Sequence, residues 1–149
     1  MSQAQQFIES FLAKPLMARI AVTRKDGQPY QKPLWYVYED GKFLISTGTT
    51  GIHTRCLRRD PRVSICIDNP EAPYQGVMVE GVAEIRENMG KDHELIGRLA
   101  ERYLGKEMGA KYMQGPIAQK ERVRVYVTPR RWIIWDNRAT PPIPPGPPR

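Results

Sequence analysis

Cysteine is scarce in this sequence: Cys56 and Cys66 are the only two among 149 residues. That excludes a disulfide framework and a paired CxxC metal site, and the expected compartment is a reducing cytoplasm. Long apolar runs are missing too; none approaches the ~20 residues that a spanning helix requires. The opening MSQAQQFIESFLAKPL has neither a basic start nor a continuous apolar stretch, so it is not read as a signal peptide. Histidine is limited to His53 and His93, and no catalytic triad or carboxylate dyad is legible. A His53–Cys56 pair has no further metal ligands nearby, and Cys56 has no evident partner as a nucleophile. Acids are outnumbered, 16 against 23 Lys and Arg, for a formal charge of +7. Such a surplus suits nucleic acid, a membrane surface or a phosphorylated small molecule, or serves solubility alone.

What is present reads as one mainly β domain over residues 1–138, followed by a Pro-rich extended tail over 139–149. Ser2 is placed to cap a short helix carrying Phe7, Ile8, Phe11 and Leu12 on one face, which Pro15 ends. Strands are expected at Met17–Thr23, Tyr30–Tyr38 and Phe43–Thr47, joined by two Asp-Gly turns in an antiparallel meander. A helix from about Ile52 to Arg59 stops at Asp60-Pro61. Strands then follow at Arg62–Asp68 and Val77–Arg86, with Gly81 marking a bulge or a close approach. A helix is expected from about Asn88 to Tyr103, then a strand at Glu121–Thr128 continued by Arg131–Trp135. Six or seven strands with peripheral helices predict a mostly antiparallel barrel. A small barrel fills its interior with side chains, so a ligand belongs outside it, at a helix or a dimer interface.

One stretch concentrates chemistry: Ser46-Thr47-Gly48-Thr49-Thr50-Gly51-Ile52-His53-Thr54-Arg55. Hydroxyls, glycines and two basic groups meet where a strand ends and a helix opens. Helix-start N–H groups and the helix dipole favour an anion there, and Arg55 could grip a phosphate with two parallel bonds. The P-loop spacing GxxxxGK[ST] is absent, and a plain loop before a solvated basic helix accounts equally well for the composition. The three tryptophans, Trp35, Trp132 and Trp135, suit core or dimer packing as well as an aromatic cofactor pocket.

Taken together, the segments resemble the pyridoxamine 5′-phosphate oxidase-like split-barrel superfamily, and most of all its small flavin- and deazaflavin-dependent oxidoreductases. The pieces that carry the likeness are MARIAVTRKDGQPYQKPLWYVYEDGKFLISTGTTG, HTRCLRRDPRVSICID, GVMVEGVAEI and RVRVYVTPRRWIIWD, in family order over Met17 to Asp136. The resemblance implies an FMN-binding type of split antiparallel β-barrel, a homodimer and a cofactor in each of two interface clefts. By position, Lys32, Pro33, Leu34, Trp35 and Tyr36 would run along the isoalloxazine-type ring, and Ser46, Thr47, Thr50 and Thr54 belong to the phosphate end. His53 falls where many relatives carry a phosphate-binding lysine, with Arg55 on the same turn, and Cys56 falls where relatives often have asparagine. Gly76 to Val79, Val77 and Met78 among them, would flank the ring's polar edge from the same or the partner subunit. Trp132 and Trp135 would close the cleft.

The cofactor implied is coenzyme F420, preferred for its anionic tail against Arg55, Arg58, Arg59 and the +7 charge, or FMN. The cofactor carries the hydride, so no catalytic side chain and no metal are expected. The function expected is hydride transfer between that cofactor and a small unsaturated or aromatic substrate. A vitamin B6 phosphate oxidase ranks lower, because that enzyme's substrate-phosphate pattern is not recognisable. Two rival readings are a non-catalytic flavin-, haem- or bilin-binding barrel and a nucleic-acid-binding barrel using Arg122, Arg124, Arg130 and Arg131. Neither a membrane nor a nucleic acid is the expected partner.

Overall fold

A computed structural model describes residues 1–139; the Pro-rich tail lies outside the described residues from Thr140 onward. The chain runs α1 (Gln3–Leu12), β1 (Ala18–Thr23), β2 (Pro29–Leu34), β3 (Val37–Glu39), β4 (Lys42–Gly48), α2 (Ile52–Arg59), β5 (Arg62–Asp68), β6 (Gln75–Arg86), α3 (His93–Gln114) and β7 (Arg122–Asp136). Ser2 caps α1 as expected: its Oγ accepts from the Gln5 backbone N–H, and the Gln5 side chain accepts from the Ser2 N–H in return.

All seven strands form one antiparallel sheet in the order β2-β1-β5-β6-β7-β4-β3. The strand expected over Tyr30–Tyr38 is in fact two strands, broken at Trp35-Tyr36, and they occupy opposite edges of the sheet. Laid flat, those edges would stand roughly 29 Å apart at the usual strand spacing. Three residue steps from Leu34 to Val37 span at most ~11 Å. The sheet must therefore curl until its edges approach, and that requirement makes it a split barrel. Its interior holds Ile20, Phe43, Ile45, Ile65, Ile67, Val79 and Val125, closed by Phe11 and Leu12 of α1 and by Cys56 and Leu57 of α2.

β6 and β7 slip register between Glu80 and Gly81, the bulge anticipated from the glycine. A Cβ at Gly81 would stand 2.7 Å from the Thr128 carbonyl oxygen. The helix expected over Asn88–Tyr103 begins later and runs further. Asn88, Gly90 and Asp92 take positive φ, which delays the start to His93. Gly105 breaks the helix at φ 82° without ending it, so its last turns reach Gln114. The first part packs Leu95 and Leu99 on Leu44, on the outer face of the barrel. β4 is thus covered on both sides, Phe43 and Ile45 inside and Leu44 under α3. No helix among the described residues is long and apolar enough to cross a membrane.

Candidate functional site

The break between β2 and β3 builds the first wall of a cleft. Tyr36 turns inward, its ring fully buried and its hydroxyl donating to the Leu12 carbonyl at 3.2 Å. Its backbone N–H donates to the Tyr103 hydroxyl at 3.2 Å, which donates in turn to the Leu16 carbonyl at 2.7 Å. Trp35 turns the other way. It stacks on Tyr103 with ring centroids 5.2 Å apart and 8° between planes, and meets Tyr112 at 5.1 Å. Aromatic contacts of this geometry stiffen a wall beyond what area burial supplies.

The cleft has a volume of about 330 Å³, at the lower end of small-molecule sites. Lys32, Pro33, Leu34 and Trp35 line one side, Ser46, Thr47 and Gly48 the end of β4, and Ile96, Tyr112 and Ile117 the side under α3. Lys120 and Arg122 complete it, and the lining contains no acid. Arg122 is 7% exposed; its Nη2 donates to the Ile117 carbonyl at 2.9 Å, but its Nε is buried without a partner. Ser46 is also 7% exposed, and its buried hydroxyl is likewise unpartnered. Buried polar groups in folded proteins are almost always paired, because an unmade bond leaves the desolvation cost uncompensated. Two such atoms, one of them on Arg122, in an acid-free wall that also holds Lys32 and Lys120 fit a ligand that brings hydrogen-bond acceptors and negative charge.

The structure brings six of the sequence-derived site residues to this cleft: Lys32, Pro33, Leu34, Trp35, Ser46 and Thr47. Tyr36 lies beside it with its ring in the core. Beyond Gly48 the chain turns into α2. There Thr50 is exposed, Thr54 is buried with its hydroxyl donating to the Gly48 carbonyl at 2.8 Å, and Arg55 is exposed. His53 turns its ring inward, toward β4. Its ring is 2% exposed and hydrogen-bonded through Nε2 to Thr47 Oγ1. Burial pushes the imidazole down to about 4, and the nearby Lys32 charge acts in the same direction, so the ring is neutral at pH 7.

Within one chain, Val77, Met78 and Trp132 stand away from the cleft. Val77 is fully buried in the barrel, and Trp132 packs its ring on Tyr38 and Phe43 at 5.8 and 5.9 Å. Met78 is half-buried on β6, opposite Ile133 of β7. Met17, Ile96, Tyr112, Ile117, Lys120 and Arg122 line the cleft without having been singled out for it. The clean charged–apolar alternation of ERVRVYVT suggests a solvated outer face, but α3 and the turn after it cover that face and bury Arg122. Among the described residues no group of three or more His, Cys, Asp or Glu could hold a metal ion.

A curled seven-stranded antiparallel sheet with a cleft between its split edge and an outer helix defines the chain as a split-barrel protein. Residues 4–136 match the pyridoxamine 5′-phosphate oxidase family, and the chain belongs to it. It is similar to the conserved hypothetical protein Rv2991 from Mycobacterium tuberculosis, at 32% identity over 99% of this chain and 93% of that one, with a TM-score of 0.73. An F420 reductase is 26% identical over 84% of this chain and 94% of its own, with a TM-score of 0.69. A FAD-binding protein from Mesorhizobium loti shares the fold, at 24% identity over 89% of this chain and 90% of that one, with a TM-score of 0.60. No curated protein matches.

Proposed function

We propose that the cleft binds a flavin-type cofactor, coenzyme F420 in preference to FMN, and that the protein is an oxidoreductase acting on a small unsaturated or aromatic substrate. The observation that carries this reading is the make-up of the cleft: its lining combines the aromatic pair Trp35 and Tyr112 with Ser46 and Arg122, whose Oγ and Nε are buried and unpartnered, and contains no acid. When bound, the cofactor supplies the hydride chemistry. The chain's own residues bind it, orient it and keep water away. Trp35 and the Lys32–Leu34 strand would lie along the ring system, with Ser46 and Arg122 donating to its oxygens. Gly48 leads towards Thr50, Thr54 and Arg55, the proposed phosphate end, where Gly51 leaves the start of α2 without a side-chain cap.

The preference for F420 rests on cationic charge next to the cleft. Arg58 is engaged by Glu87 and the Thr49 carbonyl, and Arg59 by the Thr23 carbonyl. The charge offered to an extended anionic tail therefore comes from Arg55, Lys32 and Lys120. Met78 and Trp132 reach a cofactor only if a second copy of the chain brings them, which is the role proposed for a homodimer; Val77, fully buried in the barrel, backs that surface from inside.

Arg122→Gln tests the reading. Losing a hydrogen bond to a charged group costs ~1.5–3 kcal/mol. F420 or FMN affinity, followed by cofactor fluorescence, should therefore fall more than tenfold while the thermal midpoint shows the variant still folded. Affinity within a factor of about two of the original, in a folded variant, contradicts the assignment.

A further inference from the structure

His53 is the residue whose chemistry the cofactor reading leaves unused. It sits on the first turn of α2 behind an N-cap glycine. A Cβ at Gly51 would stand 2.9 Å from His53 Cε1 and 3.2 Å from Nδ1, so the ring folds back over the turn into space that a side chain at residue 51 would crowd. The ring nitrogens differ sharply. Nε2 faces the Thr47 hydroxyl, while Nδ1 is buried with no partner.

A neutral imidazole has one donor and one acceptor, and the surroundings decide which nitrogen is which. A hydrogen on Nδ1 would be an N–H with nothing to receive it, in the positive field of the helix start and near Lys32. A bare lone pair at Nδ1 is the form that this field favours. The hydrogen then belongs on Nε2, which donates to Thr47 Oγ1. A hydroxyl that accepts from Nε2 keeps its own hydrogen for another acceptor, and Thr47 lines the cleft.

We infer that His53 is a positioning residue that fixes Thr47 as a hydrogen-bond donor toward the cleft, for a phosphate or hydroxyl oxygen of the ligand. The inference rests on the cofactor reading for its ligand, but not for its tautomer. His53 thereby serves the anion without touching it, and its low pKa keeps the arrangement constant across neutral pH.

The tautomer is read on the ligand-free protein by nitrogen-15 NMR of the two histidines. His53 should show a protonated Nε2 and an unprotonated Nδ1; the reverse pattern overturns the inference whatever the protein binds. The second arm uses titration with FMN and with F420. Thr47→Val and His53→Leu should each weaken binding about tenfold, with no further loss in the double variant. His53→Gln, whose amide can donate in place of Nε2–H, should recover most of the His53→Leu loss. Additive losses, or no recovery with glutamine in a folded variant, overturn the positioning role. If the wild-type protein binds neither cofactor, the functional reading falls while the tautomer result stands by itself.

Discussion

Arg124→Met should lower the stability of the folded chain by about 3–5 kcal/mol, the usual cost of stranding one member of a buried ion pair. Arg124 lies on β7 two residues beyond Arg122, on the same face of the strand. Its Nε donates to Asp92 Oδ2 at 2.7 Å and its Nη2 to Oδ1 at 2.8 Å, with Glu94 as a further partner. The Asp92 side chain is 2% exposed and that of Arg124 14%. These hydrogen bonds hold the Arg124 guanidinium firmly in its charged form. Without Arg124, the Asp92 carboxyl is left buried without its partner at the N-terminal cap of α3. The double variant Asp92→Asn/Arg124→Met should recover much of the loss, since replacing both charges removes the uncompensated one. Urea denaturation of the two variants checks this; equal losses in both would show that the pair does not couple. The pair pins the start of α3 to β7, and α3 supplies the outer side of the cleft, so the single variant should also bind cofactor less well.

His53 should make stability fall as the solution is acidified from pH 6.5 towards 4. In the folded chain its pKa is pushed down to about 4 by burial, with Lys32 adding to the effect, against 6.5 for a free imidazole. Between those values the unfolded chain takes up a proton that the folded one refuses. The unfolded state thus binds more protons, and unfolding free energy rises with pH across this window. The contribution is fully present above pH 6.5 and is lost as the pH falls through the window, about 3 kcal/mol in all. Carboxylates titrate in the lower part of the same range, so the informative quantity is the difference between wild type and His53→Gln. The wild-type curve should be steeper; parallel curves contradict a buried neutral ring.

Much of this architecture was legible in the residues because it depends on local chemistry. The Ser2 cap, the two Asp-Gly turns, the stop at Asp60-Pro61 and the Gly81 bulge are all short-range signals, and each falls where the sequence places it. What escaped depends on distant parts of the chain. Trp35-Tyr36 looks like mid-strand sequence, and only the closure of the barrel requires the chain to cross there from one edge to the other. Gly105 and the positive-φ residues Asn88 and Asp92 shift α3 because tertiary packing overrides a helical pattern that ends at Tyr103.

The site follows the same division. Its β2 and β4 residues come from contiguous motifs, which a sequence displays directly. Ile96, Tyr112, Ile117 and Arg122 converge from four places that no local pattern links. His53 stands in a basic stretch that suggests an anion ligand, and its burial against Gly51 and Thr47 is a tertiary feature that no local pattern displays.

The most direct measurement is a parallel titration of the purified protein with coenzyme F420 and FMN, following cofactor and tryptophan fluorescence together. Saturable binding of F420, tighter than that of FMN and accompanied by quenching of Trp35 that a Trp35→Phe variant no longer reports, is the predicted result. Binding of neither cofactor would leave the split barrel in place and contradict the claim that its cleft holds a flavin-type group.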